Sequence, residues 1–271
     1  EIFGYLGPNG AGKTTTIRIM LDLIRPTAGR VTLFGLDAQA DSVTVKHMIG
    51  NLPGELRLWG HLTGAQIIDY LAGLRPNVDL DYACTLAERL QLDLQIKADA
   101  YSTGNKRKLG LVQAFMHRPA LLILDEPTTG LDPLMRHVFN TMLREVQNEG
   151  TTVFLSSHIL SEVQASCNRV AILREGRLRT VNSIHALREA HYRIVTIHTQ
   201  ELQQIDTWHT LPNVTQAHLI SDGVQLHVTG SPDAVIKQAA HFTVTGISID
   251  EPRLEDVFMA YYGADDDTTA G

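Results

Sequence analysis

The segment GPNGAGKTTT, residues 7–16, separates a predicted strand from a predicted helix. The apolar run at residues 2–6 predicts a buried strand, and apolar residues recur at helical spacing from Ile17 to Ile24, which predicts a helix over about 13–25. A glycine-rich turn lets consecutive backbone N–H groups point into one anion-sized concavity. The helix N-terminus adds the positive end of its dipole. The order of strand, turn and helix therefore predicts an α/β fold with a phosphate site at this turn.

Two side chains at the start of the helix indicate what kind of phosphate ligand is bound. Lys13 supplies a mobile cation for the outer phosphates, and the Thr14 hydroxyl is a suitable ligand for Mg²⁺. The sequence therefore predicts a nucleoside triphosphate site. The residues assigned to it here are Gly7, Pro8, Asn9, Gly10, Ala11, Gly12, Lys13, Thr14 and Thr15.

Composition restricts the setting of this site. The net charge of -7 over 271 residues argues against a general nucleic-acid binder. Cys84 and Cys167 lack metal-ligand spacing, so we expect reduced, buried thiols and a cytosolic protein. No apolar run approaches the length of a membrane span, so a membrane function would need a separate membrane protein. Because the chain opens on Glu1 within a predicted strand, we also expect a preceding segment.

Carboxylates follow a second buried strand. The segment LLILDEP ends in Asp125 and Glu126, at the carboxyl end of the strand, where open parallel sheets bind their ligands. Asp125 is the expected Mg²⁺ partner, and Glu126 the expected group that orients or deprotonates a water. A solvated turn is the alternative for such a pair. His158 ends a further strand, in SSHIL, and is expected to reach the same edge and contact the γ-phosphate or the water.

The segment YSTGNKRKLGL, residues 101–111, predicts a second anion-binding helix N-terminus. Ser102 and Gly104 precede the helical run. One chain with one triphosphate site has no evident use for two such ends. Two chains that meet face to face would use both.

These motifs together resemble the nucleotide-binding subunit of an ATP-binding cassette (ABC) transporter, over residues 1 to about 182. The matching motifs, in family order, are Walker A at Gly7 to Thr15, the signature at Ser102, Thr103, Gly104 and Asn105, Walker B at Leu121 to Glu126, the D-loop at Gly130 to Asp132, and the switch histidine at His158.

The resemblance implies a P-loop NTPase cassette, an α/β fold, with a helical subdomain at about residues 56–118. It implies ATP and Mg²⁺ as ligands, with Thr14 and Asp125 at the metal and Glu126 and His158 in catalysis. Two subunits, a homodimer or a pair of paralogues, would hold ATP between Walker A of one and the signature motif of the other. Asp132 would belong to that interface. Hydrolysis would drive a transmembrane permease from the cytoplasmic face of the membrane.

Two positions depart from the family pattern. The glutamine of the Q-loop is expected after IGNLP, but Gly54 stands there, followed by Glu55. That task, which in the family couples ATP to the permease, is then unfilled or passes to Glu55. Thr103 replaces the first signature glycine, which adds bulk near a phosphate. The adenine-stacking aromatic residue of the family lies before Walker A, ahead of the first residue here.

A different pattern begins near residue 190. The predicted order β-α-β-β-α-β over residues 190–263 indicates a small ferredoxin-like α+β domain, followed by a disordered acidic tail at 264–271. Residues 251–263, EPRLEDVFMAYYG, predict an amphipathic helix and resemble the appended domain of drug and antibiotic exporter ATPases. The resemblance favours export. The apolar stripe itself is expected mainly to pack this helix on its own small sheet.

Two other classes remain open from the sequence. A soluble cassette ATPase that remodels DNA or ribosomes would carry a long coiled-coil insertion or two fused cassettes, and the chain has neither. A regulatory nucleotide sensor with negligible turnover is favoured by Gly54 and opposed by Glu126. The rate of ATP hydrolysis with and without the permease distinguishes such a sensor from an ATPase that drives transport.

Overall fold

The computed structural model describes residues 1–75, 78–189, 193–199 and 206–250. It divides into two compact units, the first over residues 1–182 and the second beginning at Ser183. The helix predicted at 251–263 and the tail at 264–271 lie outside the described residues.

The first unit is built around a central sheet of six strands, beside a two-stranded sheet. The strands of this unit are β1 Ile2–Leu6, β2 Thr32–Leu33, β3 Leu36–Asp37, β4 Ile49–Leu52, β5 Leu121–Asp125, β6 Thr152–Ser157, β7 Arg169–Arg174 and β8 Arg177–Ser183. Six of them form one sheet in the order β4-β5-β6-β1-β7-β8, and β2 pairs with β3. The five strands from β4 to β7 in this order pair in parallel. The carboxyl ends of β1, β5 and β6 therefore meet at one edge of the sheet.

Helices connect these strands. They are α1 Lys13–Met20, α2 Ser42–His47, α3 Gly64–Ala72, α4 Leu80–Arg89, α5 Thr103–Phe115, α6 Pro133–Asn148 and α7 Leu160–Ser166. Helices α3, α4 and α5 pack on one another, and α5 also packs on β4 of the sheet. The predicted range of α1 is five residues too long, because Asp22 takes a left-handed conformation with φ of 50° just after the helix.

Side-chain caps fix where two of these helices begin. The Ser102 hydroxyl accepts from the backbone N–H of Asn105 at 3.1 Å at the start of α5. The Asp132 carboxylate accepts from the N–H of Met135 at 2.9 Å, with Pro133 as the first residue of α6. Both are favoured N-cap residue types, which satisfy otherwise unpaired donors of the first turn. The caps thus place the signature and D-loop residues at helix N-termini.

Two local expectations are wrong. The sequence predicts one strand over residues 169–177, but two strands form, because Glu175 and Gly176 both have positive φ and turn the chain from β7 into β8. The thiol of Cys167 is buried, as expected, and the burial raises its pKa to about 12. Cys84 is exposed instead.

The second unit has a ferredoxin-like arrangement. Its elements are α8 Ile184–Glu189, β9 Arg193–Thr199, α9 Asp206–His209, β10 Val214–Ile220, β11 Gly223–Val228, α10 Asp233–Ala239 and β12 Val244–Asp250. The sheet order is β10-β11-β9-β12, with antiparallel neighbours throughout. Its core contains Val195, Ile197, Leu226 and Trp208. The predicted β-α-β-β-α-β order is confirmed between β9 and β12.

None of the helices in the described ranges is both long and apolar enough to span a bilayer.

Candidate functional site

The turn between β1 and α1 has the backbone that a phosphate loop requires. Gly10 and Gly12 have φ of 82° and 104°, which residues with a Cβ rarely adopt. A Cβ at Gly7 would lie 2.4 Å from the carbonyl oxygen of Leu173, so only glycine fits there. Lys13 begins α1 directly after Gly12. The loop therefore places the unpaired N–H groups at the start of α1 next to the carboxyl end of β1.

The ammonium group of Lys13 lies inside this loop. Lys13 is 6% exposed, and its Nζ donates to the carbonyl oxygens of Gly7 at 2.7 Å and Pro8 at 3.2 Å. Nζ also lies 3.5 Å from Oε1 of Glu126. A buried cation thus stands between the loop and the end of β5.

Asp125 is a buried carboxylate between two hydroxyl groups. It is 2% exposed at the end of β5. The Thr14 hydroxyl donates to its Oδ2 at 2.8 Å, and the Ser156 hydroxyl donates to its Oδ1. Carboxylate and hydroxyl oxygens side by side are ligands that suit Mg²⁺. The residues present therefore fit the predicted metal.

Glu126 follows in a left-handed backbone conformation, with φ of 51°. Its Oε2 lies 2.7 Å from Nδ1 of His158. Because an ionised carboxylate only accepts, His158 donates through Nδ1. The backbone N–H of Glu126 donates to the carbonyl oxygen of Ser156 at 3.1 Å, which holds the residue against β6.

A cavity of about 290 Å³ brings these groups together. Its lining residues are Asn9, Gly10, Gly12, Lys13, Thr14, Thr15, Glu126, Thr129 and His158. Six of the predicted Walker A residues, Glu126 of Walker B and the switch residue His158 thus line one cavity, and Asp125 lies beside it through its hydrogen bond with Thr14. Thr129 is an addition that the sequence did not single out.

The signature residues lie elsewhere in the chain. Among the described residues, neither the segment 102–105 nor Asp132 lines the phosphate-loop cavity. Gly104 packs instead against Gly130, whose carbonyl oxygen would lie 2.8 Å from a Cβ at Gly104. The signature segment therefore adjoins the D-loop and lies outside the lining of the phosphate-loop cavity.

A second cavity, of about 360 Å³, adjoins Thr14 and Asp125 at the Q-loop position. Gly54, Glu55 and Asn51 are among the residues that line it. A Cβ at Gly54 would lie 3.0 Å from Oδ2 of Asp125. The glycine therefore leaves the buried carboxylate room that any other residue would reduce.

Sequence reasoning missed the buried side chain of Arg107 on α5. Arg107 is 5% exposed and donates to the backbone carbonyl oxygens of Gly54 and Glu126. In sequence, three consecutive basic residues at 106–108 indicate a solvent-exposed helix face. However, Leu111 and Ala114 follow Arg107 by four and seven residues, and this helical spacing from apolar residues was the one sequence signal that Arg107 is buried.

Comparison with known proteins gives the family. A family model described as ABC transporter matches residues 1–129. The uncharacterized ABC transporter ATP-binding protein YdbJ of Bacillus subtilis is 35% identical over 205 residues, which cover 74% of this chain and 67% of that protein. The Nod factor export ATP-binding protein I of a Rhizobium species is 32% identical over 270 residues, 97% of this chain and 88% of the relative.

This chain belongs to the ABC transporter family of ATP-binding proteins.

Further members of the family give the same fold. The bacitracin transport ATP-binding protein BcrA of Enterococcus faecalis is 38% identical over 181 residues, 66% of this chain and 59% of that protein. The chain thus spans about two thirds or less of the length of YdbJ and BcrA. A solved structure titled as an ATP-binding subunit of an ABC transporter matches with a TM-score of 0.65 and 29% identity, over 70% of this chain and 81% of that one. The predicted family and cassette fold are confirmed.

Proposed function

We propose that this ABC subunit hydrolyses ATP as a sandwich dimer and drives a separate membrane permease in export. The observation that carries the proposal is the position of the Glu126 carboxylate, between Nδ1 of His158 at 2.7 Å and Nζ of Lys13 at 3.5 Å, at the phosphate-loop cavity. A nucleotide sensor would need no such arrangement.

The phosphate loop and five side chains at the end of the sheet divide the reaction between them. The backbone N–H groups of the loop and Nζ of Lys13 bind the phosphate oxygens of ATP. Glu126 orients the attacking water and accepts its proton, and His158 holds that carboxylate in place next to the γ-phosphate. Thr14 and Asp125 would hold Mg²⁺, which neutralises charge on the phosphates when bound.

The signature segment supports the dimer. Ser102 to Asn105 form a capped helix N-terminus, and none of the four lines the chain's own phosphate-loop cavity. An N-terminus of this kind binds anions. A second subunit, identical or paralogous, places its ATP there, so that each nucleotide is held by both chains.

The names of the relatives support export. One relative is a Nod factor export protein and another a bacitracin transport protein. By this proposal the subunit works at the cytoplasmic face of the cell membrane, held there by its permease, and the cargo is a drug, an antibiotic or another hydrophobic compound. ATP-dependent uptake of bacitracin into inverted membrane vesicles tests the direction, because uptake into them corresponds to export from the cell.

Steady-state kinetics with Mg-ATP test the proposed ATP hydrolysis. Glu126→Gln should lower turnover by about 10²- to 10⁴-fold. The variant should still bind ATP and should accumulate as an ATP-bound dimer in analytical ultracentrifugation. Glu149→Gln, at an exposed glutamate paired with Arg118, is the matched control and should hydrolyse ATP at the wild-type rate. A wild-type protein no faster than Glu126→Gln, with permease-containing membranes present or absent, would establish the sensor.

A further inference from the structure

The guanidinium group of Arg107 joins two backbone segments next to the catalytic carboxylates. Its Nη1 donates to the carbonyl oxygens of Pro53 at 2.7 Å and Gly54 at 3.2 Å. Its Nη2 donates to those of Asp125 and Glu126, and its Nε to that of Pro127 at 3.3 Å. One side chain therefore ties the loop after β4 to the turn after β5.

The burial of this side chain requires an explanation. Arg107 is 5% exposed, and burial lowers its pKa, opposed by the nearby charges of Asp125 and Glu126. Backbone carbonyls solvate the cation in place of water. Removing an arginine from water is unfavourable unless its donors are satisfied in this way. The rigid planar fork of arginine reaches two segments at once, which the single ammonium group of a lysine cannot do.

The turn that Arg107 holds contains the unusual backbone of Glu126. A residue with a side chain is disfavoured at φ of 51° and persists there only when its surroundings fix it. Ser156 binds the N–H of Glu126, and Arg107 binds its carbonyl oxygen. Together these contacts aim the carboxylate at His158.

The same guanidinium reaches the Q-loop position. Gly54 has no side chain with which to contact the catalytic carboxylates, but its carbonyl oxygen binds Arg107. Arg107 also lies on α5, only two residues after the signature residue Asn105. The signature helix, the loop at Gly54 and the catalytic glutamate therefore meet at one side chain.

We propose that Arg107 is a positioning residue for ATP hydrolysis, which holds Glu126 in its working conformation and links it to the loop at Gly54 through backbone contacts. This inference rests on the proposed ATP hydrolysis.

Kinetics of Arg107→Lys and Arg107→Gln test the proposal. We expect kcat to fall by about 10- to 100-fold, because a small displacement of a catalytic group has effects of this size. KM for ATP should stay within about threefold of the wild-type value, since Lys13 and the phosphate loop are unchanged. Lys108→Met is the control for losing a neighbouring buried cation of the same helix, and it should retain the wild-type kcat.

A double-mutant cycle with Glu126→Gln separates positioning from general damage. Once the carboxylate is gone, Arg107→Lys should have little further effect on turnover, whereas a merely structural defect would lower it by the same factor again. Additive effects, or a folded Arg107→Lys variant with the wild-type kcat, would overturn the inference. If the wild-type protein itself did not hydrolyse ATP, the proposed function would fail instead. Should Arg107→Lys not fold, the cycle is run with Arg107→Gln.

Discussion

His158 and Glu126 follow neighbouring parallel strands, and their side chains meet with 2.7 Å between Nδ1 and Oε2. This contact spans 32 residues of sequence and depends on the pairing of β5 with β6. The parallel pairing of these two strands therefore brings the imidazole and the carboxylate together.

We expect His158→Ala to slow ATP hydrolysis by about 10²-fold, within the range for a positioned acid–base group. The affinity for ATP should change little, because the phosphate loop and Lys13 remain. Turnover and equilibrium binding of ATP measure the two effects separately. His137→Ala, at an exposed position of α6, is the control and should match the wild type. Equal losses of binding and turnover would place His158 in nucleotide binding instead.

Restoring a side chain at the Q-loop position should impair the enzyme. In Gly54→Gln the new Cβ would lie 3.0 Å from Oδ2 of Asp125. That carboxylate cannot move freely, because Thr14 and Ser156 both donate to it. We expect about tenfold slower hydrolysis at a fixed Mg²⁺ concentration, since the carboxylate is displaced.

Gly54→Ala separates the two parts of this substitution. Alanine adds the Cβ without the amide, so it should slow hydrolysis about as much as glutamine does. Titration with Mg²⁺ measures the effect on the metal site. Faster hydrolysis by Gly54→Gln than by the wild type would contradict the prediction.

The acid sensitivity of the first unit should depend on His117. Burial, aided by the charge of Arg75, lowers the pKa of His117 from 6.5 to about 4. Its Nε2 meets the carbonyl oxygen of Ile49 at 3.1 Å, and its buried Nδ1 finds no hydrogen-bond partner among the described residues. Below pH 6.5 the unfolded chain therefore binds a proton that the folded chain does not. The fold accommodates the neutral ring, so His117 does not reduce the free energy of unfolding above pH 6.5. As the pH falls from 6.5 towards 4, proton binding by the unfolded chain lowers that free energy.

We expect this group to lower the free energy of unfolding by about 1 to 2 kcal/mol between pH 7.5 and pH 5. Urea unfolding at the two pH values measures the change, and His117→Gln should remove this contribution. NMR titration of the ring gives the pKa directly, with His117→Gln identifying the signal. A midpoint near 6.5 would show that the ring is not buried as described.

The close approach of β4 to α5 should make Gly50 intolerant of substitution. A Cβ there would lie 2.0 Å from the carbonyl oxygen of Ala114 and 2.8 Å from side-chain atoms of Leu122 and Pro119. We expect Gly50→Ala to lower the free energy of unfolding by about 1 to 3 kcal/mol, as overpacking does. Gly73→Ala is the control, because Gly73 caps α3 at φ of −62° and a Cβ there would lie 3.4 Å from the carbonyl oxygen of Tyr70. Thermal unfolding compares the two, and equal midpoints would contradict the expectation.

The sequence predicted the parts of the site that depend on residue type and order. A glycine-rich loop with Lys13, and carboxylates at the end of an apolar strand, have few other uses, and parallel pairing brings them to one edge. The edge strand β8 was missed because its residues are mostly half-buried or exposed and lack an apolar run. The early end of α1 was missed because Asp22 gives little sign of its left-handed backbone.

Arg107 could not be assigned a place from its neighbours in sequence. Its partners are carbonyl oxygens of residues about 20 and 54 positions away. Because every residue has a backbone carbonyl, residue identity does not show which of them will accept a hydrogen bond. The same holds for the conformation of Glu126, which the contacts of distant residues impose. Sequence patterns identify the side chains that react, and the folded chain reveals the contacts that orient them.

The left-handed backbone of Glu126 has a consequence for engineering. Residues other than glycine and asparagine are strained at φ of 51°, by about 1 kcal/mol or more, so Glu126→Gly relaxes the chain while removing the reactive carboxylate. The same change leaves the buried ammonium of Lys13 without the carboxylate 3.5 Å away, so the relief of backbone strain is opposed by the loss of that ion pair. Variants selected for heat resistance should therefore be assayed for ATP hydrolysis as well as for their melting temperature, because relief of strain at Glu126 by glycine removes the reactive group.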